Sequence, residues 1–150
     1  MIINGEKMSK STGNFLTLRD CIDKFGVDAT RVTLADAGDG LDDANFETDV
    51  ANASILRLFT FEKWIQDNIK TAIPDGSIDF ASHKEGDLWD TIFKNAINHG
   101  IDEATANYDG MKYKQVLKSG FFELLSIKED YLIAKSGKAN PYTLMKFIVA

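Results

Sequence analysis

From Phe46 onward the apolar residues recur with the spacing of α-helices, which restricts the chain to a mainly α fold. Val50, Ala53, Ile55, Leu58, Phe59, Ile65 and Ile69 form a broad apolar face at i, i+3, i+4 spacing. Pro74 and the polar stretch up to Gly86 interrupt it, because proline removes a backbone donor and its ring clashes with the preceding turn. A second helix is predicted through Leu88, Trp89, Ile92, Phe93, Ala96, Ile101 and Ala104, with Asp109-Gly110 as its punctuation. A third runs through Tyr113, Val116, Leu117, Phe121, Leu124, Ile127 and Tyr131 as far as Ser136-Gly137. Pro141 suits the first turn of a last helix. That helix is still apolar at Phe147, Ile148 and Val149, so the sequence is expected to stop inside an element. Three long helices with short connections predict an antiparallel bundle, with the aromatic stripes as its core.

The first 45 residues read differently. Met1-Ile2-Ile3 is a short apolar run ended by Asn4-Gly5, half of a hairpin, so a short N-terminal strand fits. Residues 4–17 are rich in Gly, Ser, Thr and Asn and have no period, which marks a loop. Thr17 suits the N-cap of a helix through Leu18, Cys21, Ile22 and Phe25, stopped by Gly26. Asp28 is placed to cap the next helix, through Val32, Leu34 and Ala35, and residues 38–45 make an acidic turn. The expected division is a loop and linking segment over residues 1–45 and a helical bundle over 46–150, truncated at its C-terminal end.

Composition excludes several classes. No run approaches the roughly 20 apolar residues that a membrane span needs, and no signal peptide is visible. Cys21 is the only cysteine, which rules out an internal disulfide, and with 2 His beside it a structural zinc site is out of reach. These features predict a soluble intracellular protein that binds no metal of its own. The net charge of -6 hides a distribution. Residues 1–19 carry net +2, residues 20–50 net -7, residues 51–110 net -5 and residues 111–150 net +4. Basic charge therefore sits at the two ends, a pattern suited to local phosphate-facing patches rather than to a polyanion spread over the whole surface.

One of those ends holds Lys7-Met8-Ser9-Lys10-Ser11-Thr12-Gly13-Asn14. Two lysines three apart supply cations, the serines supply hydroxyls, and glycine lets the backbone come close, which is what a triphosphate needs. The loop is not a Walker A motif, since no G-x-x-x-x-G-K-[ST] occurs. It matches the K-M-S-K-S-x-G-N signature of class I aminoacyl-tRNA synthetases at all its fixed positions. Average residue usage puts a chance match at a given site on the order of 10⁻⁹. Gly26-Val27-Asp28-Ala29-Thr30-Arg31 is similar to the G-A-D-A-L-R segment that follows the signature in this class, departing at Val27 and Thr30. Leu34-Ala35-Asp36-Ala37-Gly38-Asp39 and Asp43-Ala44-Asn45-Phe46 resemble the A-D-A-G-D and D-A-N-F stretches of leucyl-tRNA synthetases of the archaeal and eukaryotic cytosolic type. Lys118-Ser119-Gly120-Phe121-Phe122-Glu123 resembles a later segment of that subgroup.

The resemblance implies ATP-dependent activation of leucine, with Mg²⁺, followed by transfer to tRNA(Leu) in the cytoplasm. It makes Lys10 the main contact to the departing pyrophosphate, with Lys7 assisting. Met8 would lie near the adenine, Ser9 and Ser11 would donate to phosphate or brace the loop, and Gly13 and Asn14 complete the ATP-binding stretch. The bundle would be of the class I anticodon-binding type, with Lys112, Lys114, Lys118, Lys135 and Lys138 as candidate contacts to the tRNA backbone. The class also requires a His-Ile-Gly-His motif on a nucleotide-binding domain. His83-Lys84-Glu85-Gly86 and His99-Gly100-Ile101 do not supply it, so both histidines are assigned to the surface. The chain is expected to be inactive alone and to work with the remaining domains of a parent synthetase. Valyl and isoleucyl enzymes share the loop and stand as alternatives, as does a non-catalytic helical tRNA-binding or scaffold module.

Overall fold

The Asn4-Gly5 pair does turn the chain. In the computed structural model, which describes residues 1–72 and 86–150, both residues stand at positive φ, 51° and 82°. That combination matches a two-residue hairpin turn to the twist of its strands, and asparagine and glycine tolerate it best. It folds β1 (Ile2–Ile3) antiparallel onto β2 (Glu6–Lys7), with Ile2 opposite Lys7. The chain then runs through α1 (Leu18–Phe25) and α2 (Val27–Asp36) and returns as β3 (Asn45–Phe46), parallel to the other edge of β1. The expected strand is thus the middle of a three-stranded sheet of order β2-β1-β3. The stretch 4–17, read as a loop throughout, includes β2. Two-residue strands are too short for alternation to reveal.

Thr17 caps α1 as expected. Its hydroxyl accepts from the Asp20 N–H at 3.0 Å while the Asp20 carboxylate accepts from the Thr17 N–H, also at 3.0 Å, closing a capping box. Gly26, at φ 81°, ends α1 and begins α2, so Asp28 lies inside the first turn of α2 instead of capping it. Phe46 is fully buried against Phe25, the ring centroids 5.7 Å apart, in a small core completed by Cys21, Ala29 and Ala51.

Ala51 already belongs to α3 (Thr48–Ala72). Its inward row is Ala51, Ser54, Leu58, Phe61 and Trp64, whereas Ile55 and Phe59, expected inside, are 40% and 62% exposed. The helix is apolar around much of its girth, and the neighbouring helices select the face. Ser54 can be buried because its hydroxyl donates to the Val50 carbonyl at 2.8 Å. The Pro74 break and His83 lie outside the described residues. His99 sits on the exposed side of α4 (Leu88–Asp109), 3.7 Å from Glu103.

The third predicted helix has the expected extent but not the expected regularity. It consists of α5 (Tyr113–Leu117), a wide π turn over Lys118–Phe122, and α6 (Glu123–Ala134). Gly120, in the wide turn, lies so near α4 that a Cβ there would stand 3.1 Å from the Ala104 methyl. The last helix, α7 (Pro141–Val149), starts on proline, with the Asn140 side chain accepting from the Tyr142 N–H at 3.0 Å. The larger core gathers Phe93, Ile97, Leu124, Tyr131, Leu144 and Phe147 from α4, α6 and α7, with Phe61 and Trp64 of α3 against it. Among the described residues no helix is long and apolar enough to cross a membrane.

Inside this core lies a polar knot that the sequence pattern did not disclose. Asp90, 1% exposed, closes a capping box with Asp87 at the start of α4. It accepts from the Tyr131 hydroxyl at 2.5 Å and from Lys135 Nζ at 3.3 Å. Lys135 also reaches Asp87 at 2.7 Å, and the Tyr131 oxygen accepts the Asn140 N–H at 2.9 Å. Burial alone would raise the Asp90 carboxyl, but the bonds from Tyr131, the Asp87 N–H and Lys135 outweigh it and hold it down at about 2. Tyr131 is pushed up to about 12 by burial and by Asp90, so it stays a donor. Three helix ends are tied at one point.

Candidate active-site loop and basic face

The signature residues form a closed loop rather than an open tail. The Ser9 N–H donates to the Asn14 carbonyl at 2.8 Å, and the Gly13 N–H reaches back to Lys10 O at 3.4 Å. Gly13 stands at φ 76°, which lets the chain reverse without a side-chain clash. Ser9 and Ser11 share a hydrogen bond of 2.8 Å between their hydroxyls, and the Thr12 hydroxyl donates to Ser9 O at 3.2 Å. The Asn14 amide donates to the carbonyls of Glu6 and Lys7 at 3.2 and 3.4 Å, pinning the loop's exit to β2.

This frame holds Lys7 and Lys10 exposed, with Met8 half-buried between them. The Met8 N–H donates to Met1 O at 3.2 Å, so the entrance to the loop is tied to the strand layer as its exit is. Lys10 Nζ sits 5.2 Å from the centre of the Phe15 ring, within cation–π range. Phe15, 40% exposed, is a neighbour that the motif did not point to. Two ammonium groups and two hydroxyls on a short closed turn suit a polyphosphate. The stretch Lys7 to Asn14 has two lysines and no carboxylate, a charge balance that favours an anion over a divalent cation.

The five lysines of the last third are distributed unequally. Lys112, Lys114 and Lys118 are exposed along the α5 side, the Lys118 ammonium 3.6 Å from Glu123. The backbone N–H of Lys114 donates to Asp39 at 2.7 Å, which packs the acidic turn against the start of α5. Lys138 is exposed just past Gly137, at the opposite end of α6. Lys135 is turned inward. Its side chain is 14% exposed and engaged with Asp87 and Asp90, and the hydrogen bond to Asp87 raises its pKa. Three of the five therefore share one stretch, one stands apart and one is committed within the chain.

The family model for class I tRNA synthetases (I, L, M and V) matches residues 2–47, the span from β1 through the closed loop to β3. The chain is 44% identical over 142 residues to a cytoplasmic leucine–tRNA ligase of Neurospora crassa, covering 93% of this chain and 12% of that protein. It is 42% identical over 133 residues to the cytoplasmic leucine–tRNA ligase of Pongo abelii, covering 87% of this chain and 11% of that protein. It is 38% identical over 149 residues to that of Saccharomyces cerevisiae, covering 99% of this chain and 13% of that protein. The chain thus spans about one eighth of the length of these relatives. The alignments run past the loop, through the helical region, which a shared loop alone would not produce. On the signature loop and on this similarity, the chain belongs to the class I tRNA synthetases, in their leucine–tRNA ligase branch.

Proposed function

We propose that this chain works as one piece of a leucine–tRNA ligase, supplying the loop that handles the pyrophosphate of ATP and part of the surface on which tRNA(Leu) rests. The observation that carries the reading is the closed loop of residues 7–14 with Lys7 and Lys10 exposed on it. In leucine activation a carboxylate oxygen of leucine bonds to the α-phosphorus of ATP, the bond to the bridging oxygen breaks, and pyrophosphate leaves with the electron pair. Negative charge grows on the leaving phosphates, so cations fixed there lower the barrier. Lys10 takes the main contact and Lys7 assists. Met8 lies beside the adenine. Ser9 and Ser11, already bonded to each other, brace the turn and turn a hydroxyl to phosphate, while Gly13 and Asn14 keep it closed. The loop has no carboxylate to hold Mg²⁺, so the ion would come with the phosphates of ATP and offset part of their charge.

Residues 1–45 then serve as the catalytic loop with its linking segment. Residues 46–150 then hold a helical bundle of the class I anticodon-binding type, and α3 meets the small core through Ala51 and Leu58 and the larger one through Phe61 and Trp64. The leucine pocket and the His-Ile-Gly-His motif belong to the remaining domains of the parent enzyme. Pure 150-residue chain is therefore expected to give no leucine-dependent exchange of pyrophosphate into ATP. Exchange above background would overturn this division of labour.

Lys112, Lys114 and Lys118 are the cations placed to meet tRNA phosphates together, with Lys138 a separate contact, while Lys135 offers little while held by Asp87 and Asp90. Contacts of this kind position the nucleic acid without reading its sequence. Replacing Lys114 and Lys118 by alanine in the full-length enzyme is expected to raise KM for tRNA and to reduce its salt slope by between about 1 and 2. Leucine-dependent exchange, which needs no tRNA, should not move. Unchanged KM and salt slope in steady-state aminoacylation would reduce the three lysines to a solvated helix face.

A further inference from the structure

The stretch Asp43-Ala44-Asn45-Phe46 has no part in the chemistry just described, yet it lies against the root of the lysine loop. Its backbone extends the sheet: Ile2 N–H donates to Ala44 O at 2.9 Å and Asn4 N–H to Phe46 O at 3.1 Å. Two asparagine side chains then cross between the hairpin and the start of α3. Asn4, in the hairpin turn, accepts from the Thr48 N–H at 2.9 Å and the Thr48 hydroxyl at 3.2 Å. Thr48 is the first residue of α3, whose leading amides have no partner within the helix. A residue 44 positions earlier therefore caps the helix. Asn45, in β3, returns the bond: its Oδ1 accepts from the Gly5 N–H at 3.0 Å, and its amide donates to Glu47 at 2.9 Å.

Resting on the function proposed above, we infer that Asn4 and Asn45 are positioning residues for the lysine loop, setting Lys7 and Lys10 at a fixed place relative to α3. The backbone ladder between β1 and β3 is two residues long on each strand. It holds the strands together, but the orientation of the turn, and of β2 beyond it, depends on the two side chains. Lys7 is the last residue of β2, and the Asn14 amide ties the far end of the loop to the carbonyls of Glu6 and Lys7. A tilt of the hairpin therefore moves the whole loop as one piece. A contact that acts at the transition state loses its effect when displaced by about 1 Å.

The test is leucine-dependent pyrophosphate exchange by the full-length ligase containing Asn4→Ala, Asn4→Asp, Asn45→Ala or Lys10→Ala, alone and combined. Asn4→Ala and Asn45→Ala are each expected to lower kcat about tenfold, part of the roughly hundredfold that a misplacement of about 1 Å can cost, with KM for leucine within twofold of wild type. Asn4→Asp keeps an acceptor for Thr48 and tolerates the left-handed backbone, so it should recover most of the rate. In a Lys10→Ala background, Asn4→Ala should cost clearly less than it does in the wild type, because only Lys7 is then left for the clasp to position. Wild-type kcat in Asn4→Ala, full additivity with Lys10→Ala, or no recovery by Asn4→Asp would overturn the inference. If Lys10→Ala itself leaves exchange intact, the reading of the loop has failed instead. Should Asn4→Ala reduce the folded fraction, the Asn45→Ala pair with Lys10→Ala decides by the same additivity.

Discussion

Replacing Lys10 with alanine in the full-length ligase is expected to lower kcat for leucine activation about a hundredfold and to leave KM for leucine nearly unchanged. A cation that meets the pyrophosphate as it departs binds the transition state better than the ground state, and such contacts govern kcat. A preorganised charged contact of this kind is worth roughly 3 kcal/mol, which corresponds to two orders of magnitude. Among the described residues Lys10 makes no ion pair; its ammonium rests on the Phe15 ring, a partner that gives way to phosphate at small cost. Lys10→Arg should recover only part of the loss, because a planar fork replaces a point charge on a tight turn. Steady-state exchange kinetics decide the matter. A Lys10→Ala enzyme that activates leucine at the wild-type rate would remove the chemical role assigned here.

The second large effect concerns stability. Asp90→Ala should destabilise the 150-residue chain by about 3 kcal/mol in urea unfolding, since it removes the carboxylate on which a buried charged network converges. Tyr131 would lose its acceptor, and Lys135 would keep only Asp87. Tyr131→Phe, which removes one hydroxyl and leaves the ring stacked on Phe93, should cost about 1 to 2 kcal/mol. The network also fixes a pH dependence. The folded Asp90 carboxyl titrates at about 2, below its ordinary 3.8. Its stabilising contribution is therefore complete above pH 4 or so and disappears as the pH falls from there toward 2. Asp20, lowered by its bonds with Thr17, acts in the same direction. The difference in unfolding free energy between wild type and Asp90→Asn should accordingly shrink across that acid range. A constant difference from pH 7 to 2 would assign the stability of this corner to packing alone.

The helices and the loop were legible in the sequence for a shared reason. Each depends on residues close together in the chain: the i, i+3, i+4 recurrence of Leu88 to Ala104, the Thr17 cap, and the uninterrupted string from Lys7 to Asn14. What escaped depends on partners far apart. Nothing local announces the partners of Asp90, since Tyr131 lies 41 residues away and Lys135 45 residues away. The one near signal was the spacing of Asp87 and Asp90, which forms a capping box. The inward row of α3 is not fixed by its own sequence, because Ile55, Phe59 and Phe61 are equally apolar and only the positions of the other helices distinguish them. The Asn4-Gly5 pair announces its turn locally, while the second bond of Asn4 is to Thr48, 44 residues downstream.

The π turn at Lys118–Phe122 bears on how relatives of this chain should be compared. A wide turn accommodates roughly one residue more than the 3.6 of an α-helix, and each residue turns the helix by about 100°. Deleting one residue between Lys118 and Phe122 could therefore be absorbed by tightening the turn, with Leu124 and Tyr131 still facing α4 and Val116 keeping its phase. The same deletion inside α6 would rotate Tyr131 away from Asp90. Length variation among these enzymes should thus be tolerated at the wide turn and selected against a few residues later. An alignment that places a one-residue gap within α6 should first be tried with that gap moved to Gly120.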